Sequence, residues 1–336
     1  MSRRVQLGLG LGLAIALSYL VLRQADLAAV GQAMRMANLW YIAAAIAAIM
    51  FNQLQRAWRW HYLLLPLGSV PTRPLVDCTF IGWGVTLALP GRLGELARPV
   101  LLSRRAPVPA VGAIGSIVLE RAFDGLTVLV MLATYLAFLP PPTGLDSQGQ
   151  MVLETMRTTG MLLLAGLVVL GLITVLAMRS DRMRALVGSL NERLPGKLGQ
   201  LTSGFMAGMA GLRSPLLIAA ISVHSLLLWA NITFVYVLLF WAFDLQLPAY
   251  AAIPLVAVLV IGVMVPTPGA VGSFHAAAQI GLVNMWGVGN DAAIAYAIVA
   301  HAVAFLPGVI GLIMLARQGL TLGAMRELGS ETATEP

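Results

Sequence analysis

The sequence predicts an all-α, polytopic helical membrane protein with about six full spans and two further apolar segments broken by Pro-Gly motifs. Three observations carry this. Residues of the AVILMFWYC set make up 59% of the 336 residues, whereas a soluble domain reaches roughly 45–50% even with glycine counted. Charged residues are 10%, against roughly 25% in a soluble domain, too few to cover a surface facing water. The apolar residues also fall in runs near the length of about 20 that a helix needs to cross the hydrocarbon core. A soluble enzyme, a disordered chain and a nucleic-acid binder are excluded. The net charge of +7 is therefore read as basic loops against anionic headgroups. Cys78 is the only cysteine, which rules out an intrachain disulfide or a thiolate metal cluster.

The spans are read at 5–22, 38–57, 107–139, 158–178, 215–241 and 291–316. Arg3 and Arg4 precede the first. Its apolar run is long for a signal peptide and no A-x-A site follows, so it reads as an uncleaved anchor. The second runs into Asn52, Gln53, Gln55, Arg56, Trp58, Arg59, Trp60, His61 and Tyr62. That stretch reads as an aromatic and basic belt at the membrane interface, in which Arg56 and Arg59 can help hold headgroups. The stretches 75–102 and 249–286 are interrupted and read as spans or re-entrant hairpins.

Loop charges orient the spans. Arg179, Arg182, Arg184, Arg193, Lys197 and Arg213 mark 179–213 as cytoplasmic, whereas the Pro-rich 140–157 belongs outside. Both termini then lie in the cytoplasm, with Arg23 and Arg35 a mild violation in the first outer loop. Each half has two spans, an interrupted hairpin and a third span, so the halves run in opposite senses and the hairpins face each other. Pro90-Gly91-Arg92-Leu93-Gly94 matches Pro268-Gly269-Ala270-Val271-Gly272 as P-G-x-[LV]-G. Paired breaks of this kind point to a transporter's midplane site, although a chain rich in Gly and Pro produces such matches by chance. We expect a single transmembrane domain at 1–320, with pseudo-halves 1–145 and 150–320, and a short cytoplasmic tail at 321–336.

Three clusters can carry chemistry. Arg92, Glu95 and Arg98 follow the first Pro-Gly break, with Glu95 and Arg98 spaced i, i+3 to pair on a helix. A charge at bilayer depth costs roughly 2.5–3.5 kcal/mol on insertion scales, so these residues should face a polar cavity, as a headgroup site, or else form a solvated loop. Glu120, Arg121 and Asp124 lie inside an apolar run. Glu120 and Asp124 share a face and repel unless Arg121 or an arginine of the first cluster sits between them. They read as a functional site or as a structural ion-pair network. The third cluster contains Gly269, Gly272 and His275. Here two prolines end one helix and the next, capped by Ser273, offers N–H groups to an anion, with His275 on phosphate or a proton. The alternative is a kinked helix with a packed histidine.

Other patterns carry little. Gly8-Leu9-Gly10-Leu11-Gly12 follows no strand and is not a dinucleotide fingerprint. His224 and His301 have no histidine or carboxylate at ligand spacing, so they read as core packing. No metal, cofactor or catalytic residue is expected.

With these residues in hand, the chain resembles the lysylphosphatidylglycerol synthase transmembrane-region family of flippase-like membrane proteins. The resemblance rests on Arg56–Leu65 (RAWRWHYLLL), Leu89–Arg98 (LPGRLGELAR), Glu120–Asp124 (ERAFD) and Pro266–Gly272 (PTPGAVG), and covers about 5–316. It implies a bacterial inner-membrane protein that moves an amphipathic lipid, phospholipid or isoprenoid-like, between leaflets. The other reading is a membrane-embedded enzyme or accessory subunit of a lipid or lipid-linked glycan pathway, with a biosynthetic enzyme as partner. The short expected tail implies no synthase domain. Many members carry Glu where this chain has His275, which speaks against a cationic headgroup. On this reading Arg92, Glu95, Arg98, Gly269, Gly272 and His275 bind substrate. Arg56, Arg59, Glu120, Arg121 and Asp124 brace or couple the site, and Glu95, Asp124 or His275 is expected to carry a proton.

Overall fold

The computed structural model describes residues 3–23, 25–88, 94–145, 147–182, 185, 189, 196–265 and 267–319. Among the described residues the chain is helical, without strands. Six helices of 20 residues or more fall on the six apolar segments: α1 (Arg3–Leu22), α3 (Leu39–Leu64), α6 (Ala110–Phe138), α7 (Ser147–Arg179), α9 (Pro215–Ala242) and α12 (Asn290–Arg317). Shorter helices lie between them: α2 (Leu27–Met36), α4 (Thr72–Ala88), α5 (Gly94–Ser103), α8 (Gly196–Gly208), α10 (Ala252–Met264) and α11 (Ser273–Gln279). Of these, α7, α9 and α12 are long and apolar enough to cross a membrane, and the bent pair α1–α2 adds a fourth if it counts as one span.

Local chemistry sets several starts. Asp26 accepts the N–H groups of Ala28 and Ala29 at 2.8 and 3.3 Å and opens α2. Asn38 accepts from Trp40 N–H at 3.0 Å and opens α3. Ser214 accepts from Leu217 N–H at 3.3 Å, with Pro215 next. A side-chain oxygen there satisfies an otherwise unpaired donor, and proline at the first helical position lacks the N–H that would go unmet.

Glycine lets the helices approach closely. The α4–α12 contact runs through Gly84 and Gly311; a Cβ at Gly311 would strike the Phe80 carbonyl. Helices α6 and α8 meet through Gly112, Gly115 and Gly208. The pair α4 and α5 is closed by Gly82 and Gly94, and the pair α10 and α11 by Gly262 against Ser273 and Ala277. Small residues at such contacts are the usual packing device of membrane helices.

The apolar interior divides in two. One core holds Ala45, Ile49, Val128, Leu132, Leu228 and Trp229, and extends over α10 to α12. The other holds Ala57, Trp60, Ile81, Leu102, Ile117, Phe123 and Ile221. Along α3, α6 and α9 the chain passes from one core to the other between residues 49 and 57, 123 and 128, and 221 and 228. The buried polar residues Asn52, Gln53, Arg56, Asp124 and Ser225 fall in those intervals, with Arg59 and Glu120 within a turn of them.

Candidate functional site

At the junction, three helices bring charge together. Arg59 of α3 is fully buried. Its Nη1 donates to Asp124 Oδ1 at 2.5 Å and to Ser225 Oγ at 3.0 Å, and its Nη2 lies 3.3 Å from Glu120 Oε1. Trp229 Nε1 donates to the same Asp124 oxygen at 2.8 Å. From α5, Arg98 reaches Glu120 Oε2 at 2.5 Å, with its guanidinium 4.2 Å from the centroid of the Trp60 ring. Arg121 bonds Glu120 and lies 3.3 Å from Asp124 Oδ2 and 3.7 Å from Glu95 Oε2. A buried charge is tolerated only when paired and hydrogen-bonded, and interleaved arginines supply this for Glu120 and Asp124.

The cluster has a sealed floor and an open rim. The side chains of Arg59 and Glu120 are 0% exposed, whereas those of Arg121 and Glu95 are 37% and 28% exposed. Arg56, also buried, donates from Nε to Asn52 Oδ1 at 3.1 Å and lies 5.4 Å from the Trp83 ring. Asn52 is held by the Leu228 carbonyl at 3.1 Å. Among the described residues, Arg56, Arg59, Arg98 and Arg121 thus gather with Glu95, Glu120 and Asp124, four cations and three anions.

The second Pro-Gly turn lies against the end of α4. Gly269 adopts φ 58°, and a Cβ there would lie in ordinary contact with Leu87, at 3.6 Å. Its carbonyl accepts from His301 Nε2 of α12 at 2.8 Å. The His301 ring packs on Phe274, Phe305 and His275, with 5.0 Å between the two imidazole centroids. Gly272, at φ 81°, is covered by α1, where Ala14, Leu17 and Ser18 leave no room for a Cβ.

Comparison with known proteins adds the lineage. The family model described as the lysylphosphatidylglycerol synthase TM region matches residues 6–311. The chain belongs to this family. It is also 27% identical over 300 residues to a protein of Haloferax volcanii named glycosyltransferase AglD, covering 80% of this chain and 47% of that protein. The chain therefore spans about half the length of this curated relative. Family and apolar helices together make it a multi-pass membrane protein.

In this member of the lysylphosphatidylglycerol synthase TM region family, the sequence-predicted site residues divide. Glu95, Arg98, Glu120, Arg121 and Asp124 converge, and Arg92 lies outside the described residues. Arg98 pairs with Glu120 across elements instead of with Glu95 at i, i+3. The cation between Glu120 and Asp124 comes from α3 as well as from Arg121. The belt expected around Arg56 and Arg59 is corrected: α3 continues to Leu64, and Asn52, Gln53, Arg56, Arg59 and Trp60 face inward. The reason is charge, because Arg59 gains two carboxylates there that the interface does not offer.

At the other turn, Ser273 does not cap α11 through its side chain. Its Oγ donates to the Ala270 carbonyl at 3.2 Å and lies 2.9 Å from Thr267 Oγ1. The helix it begins has seven residues before a π turn over Ile280–Asn284. Gly269, Gly272 and His275 therefore sit in packed turn and helix, at a different place from the ion cluster. Sequence reasoning missed Ser225 and Trp229, although their i, i+4 spacing places both on one face of α9. It also read His301 as solitary, because its partners His275 and Gly269 come from another element.

Proposed function

We propose that this protein acts in a lipid or lipid-linked glycan pathway by moving an amphipathic lipid between leaflets of the bacterial inner membrane. The observation that carries the reading is the buried ion cluster, with its rim open at Arg121 and Glu95 and, among the described residues, one cation in excess. A phosphate crossing hydrocarbon must leave water, at a cost of several kcal/mol for an unpaired charge. A polar layer between two apolar cores lowers that cost midway. Arg121 and Arg56 with Arg92 meet the phosphate, whose fork geometry arginine suits, and Glu95 holds Arg121 in place when no headgroup is bound. Arg59, Arg98, Glu120 and Asp124 form the rigid floor.

In this reading the six long helices span the bilayer, both termini are cytoplasmic, and residues 1–320 form one domain of two inverted halves. The pairs α4–α5 and α10–α11 are re-entrant hairpins. Their length supports this: α10 has 13 residues, about 20 Å of helix, against roughly 30 Å of hydrocarbon. So does their common construction, each closed by glycine contacts. The packing of the Gly269 turn against α4 supports a meeting of the two hairpins in this reading. A second reading, an accessory of a glycan-assembling enzyme, is favoured by the name of the Haloferax volcanii relative.

The test is reconstitution into liposomes with fluorescent phospholipid and polyisoprenyl phosphate, scored by dithionite access. Leaflet exchange by wild type, lost in Arg121→Gln and Glu95→Gln, is expected. Sensitivity to an uncoupler under a pH gradient would add proton coupling. Exchange unchanged in both variants would sink this site. No exchange of either lipid, with co-purification of a glycosyltransferase, would favour the accessory reading.

A further inference from the structure

A second site lies at the opposite end of α3 and α9 from the ion cluster. Fifteen positions separate Tyr41 from Arg56 on α3, about 22 Å along a helix. There, Asn38 N–H bonds the Ala242 carbonyl at 2.8 Å and ties the start of α3 to the end of α9. The following loop bounds a cleft of about 580 Å³, lined by Tyr41, Trp241, Asp244, Leu245, Gln246 and Leu247. The cleft is shallow and open to its surroundings, so a guest would rest on its lining and not be enclosed.

The lining has two parts. Tyr41 and Trp241 lie 5.7 Å apart at 58°. Rings that touch at this angle leave no gap for a guest between them, so a guest meets the face of one ring, with the other at its side. Beside the rings, Gln246 Nε2 donates to Asp244 Oδ1 at 2.9 Å and lies 3.3 Å from the Asp244 carbonyl. A carboxylate and an amide are thereby held side by side, both exposed. Asp244 sits at φ 50°, one of two non-glycine residues with positive φ among those described. This is the left-handed turn that ends α9, closed by Leu245 N–H on the Phe240 carbonyl at 2.9 Å, and it fixes the direction in which Asp244 leaves the helix.

We propose that this cleft binds an uncharged pyranose ring. An apolar C–H face of the sugar lies on the Trp241 ring, with Tyr41 at its side, and the hydroxyls at its edge bond Asp244 and Gln246. Each hydroxyl both donates and accepts, so an adjacent carboxylate and amide match a pair of neighbouring hydroxyls. An ammonium group could use the carboxylate and one ring face but would leave the Gln246 amide unused, and the choline control separates the two. The site is distinct from the ion cluster and does not depend on that cluster's role. The sugar can come from a glycolipid headgroup or from a free saccharide.

The experiment is saturation-transfer-difference NMR on the full chain in phosphatidylcholine nanodiscs. One arm adds methyl β-D-glucopyranoside at millimolar concentration; the other builds monoglucosyl diacylglycerol into the disc. Transfer to the ring protons in either arm supports the site, and the arm that responds names the source. Trp241→Ala should abolish it, and Asp244→Asn should weaken binding by about tenfold, the worth of one charge-assisted hydrogen bond. Trp241→Phe, which keeps a ring and guards against misfolding, should retain part of the signal. Equal transfer in wild type, Trp241→Ala and Asp244→Asn would overturn the proposal, as would silence in both arms. Choline chloride binding in an Asp244-dependent way while both sugars stay silent would also overturn it, in favour of a cation site.

Discussion

Replacing Arg59 by methionine removes the cation between Glu120 and Asp124, and the geometry sets the size of the effect. The variant loses the 2.5 Å bond to Asp124, the 3.3 Å contact with Glu120 and the 3.0 Å bond to Ser225. Breaking a buried pair by removing one partner costs about 3–5 kcal/mol. The lower end applies here, because Glu120 keeps Arg98 and Asp124 keeps Trp229. We expect a loss of about 3 kcal/mol, roughly a hundredfold in the folding equilibrium. The assay is unfolding in mixed micelles titrated with SDS and followed by circular dichroism. Arg59→Met should be combined with Asp124→Asn, which gives the lone carboxylate a neutral replacement. Their coupling should exceed about 1.5 kcal/mol, the lower range for close charge pairs. A cost for Arg59→Met within about 0.5 kcal/mol, as for a surface substitution, would refute a dry, paired cluster.

Glu120→Gln should cost more than Arg59→Met in the same titration, because one carboxylate faces Arg59, Arg98 and Arg121. Gly311→Ala should destabilise by about 1–3 kcal/mol through overpacking against Phe80, whereas Gly166→Ala, with nothing within 4 Å, should be neutral or slightly stabilising. His301→Phe keeps a ring against Phe305 but loses the bond to the Gly269 carbonyl; hydrogen exchange should rise across 267–272, by about 1 kcal/mol of lost protection. Cys78 is fully buried, so maleimide should label it only after unfolding, and labelling of the native protein would contradict this packing.

The long helices were legible because lipid leaves the backbone few choices: every polar backbone group must bond within the segment, so apolar runs and helices coincide. The end of α3 was less so. An aromatic and basic run such as Arg56–Tyr62 looks the same whether it meets headgroups or a buried acid. Only the periodicity separates Trp58, 46% exposed, from the fully buried Arg59 and Trp60. Composition flags charge, but the partner that decides its direction lies 61 residues away at Glu120. The same holds for Arg98, for which Glu95 was near in sequence and Glu120 near in space.

The two Pro-Gly motifs read alike; the first lies outside the described residues, and the helix that follows it differs in its surroundings from the second turn. The residues after the first enter a charged cluster with an open rim. Those of the second are occupied by protein: α1 covers Gly272 and His301 takes the Gly269 carbonyl. A strict two-fold site, with equal contributions from both turns, would leave both open to a headgroup. On the proposed reading the two motifs do different work: the helix that follows the first carries Glu95 and Arg98 into the charged cluster, whereas the second turn is packed against α1 and α12. Substitutions near Glu95 should then change which headgroups are accepted, whereas His301→Phe should change the rate for all of them alike. A His301 variant that altered headgroup preference would return the second turn to the site itself.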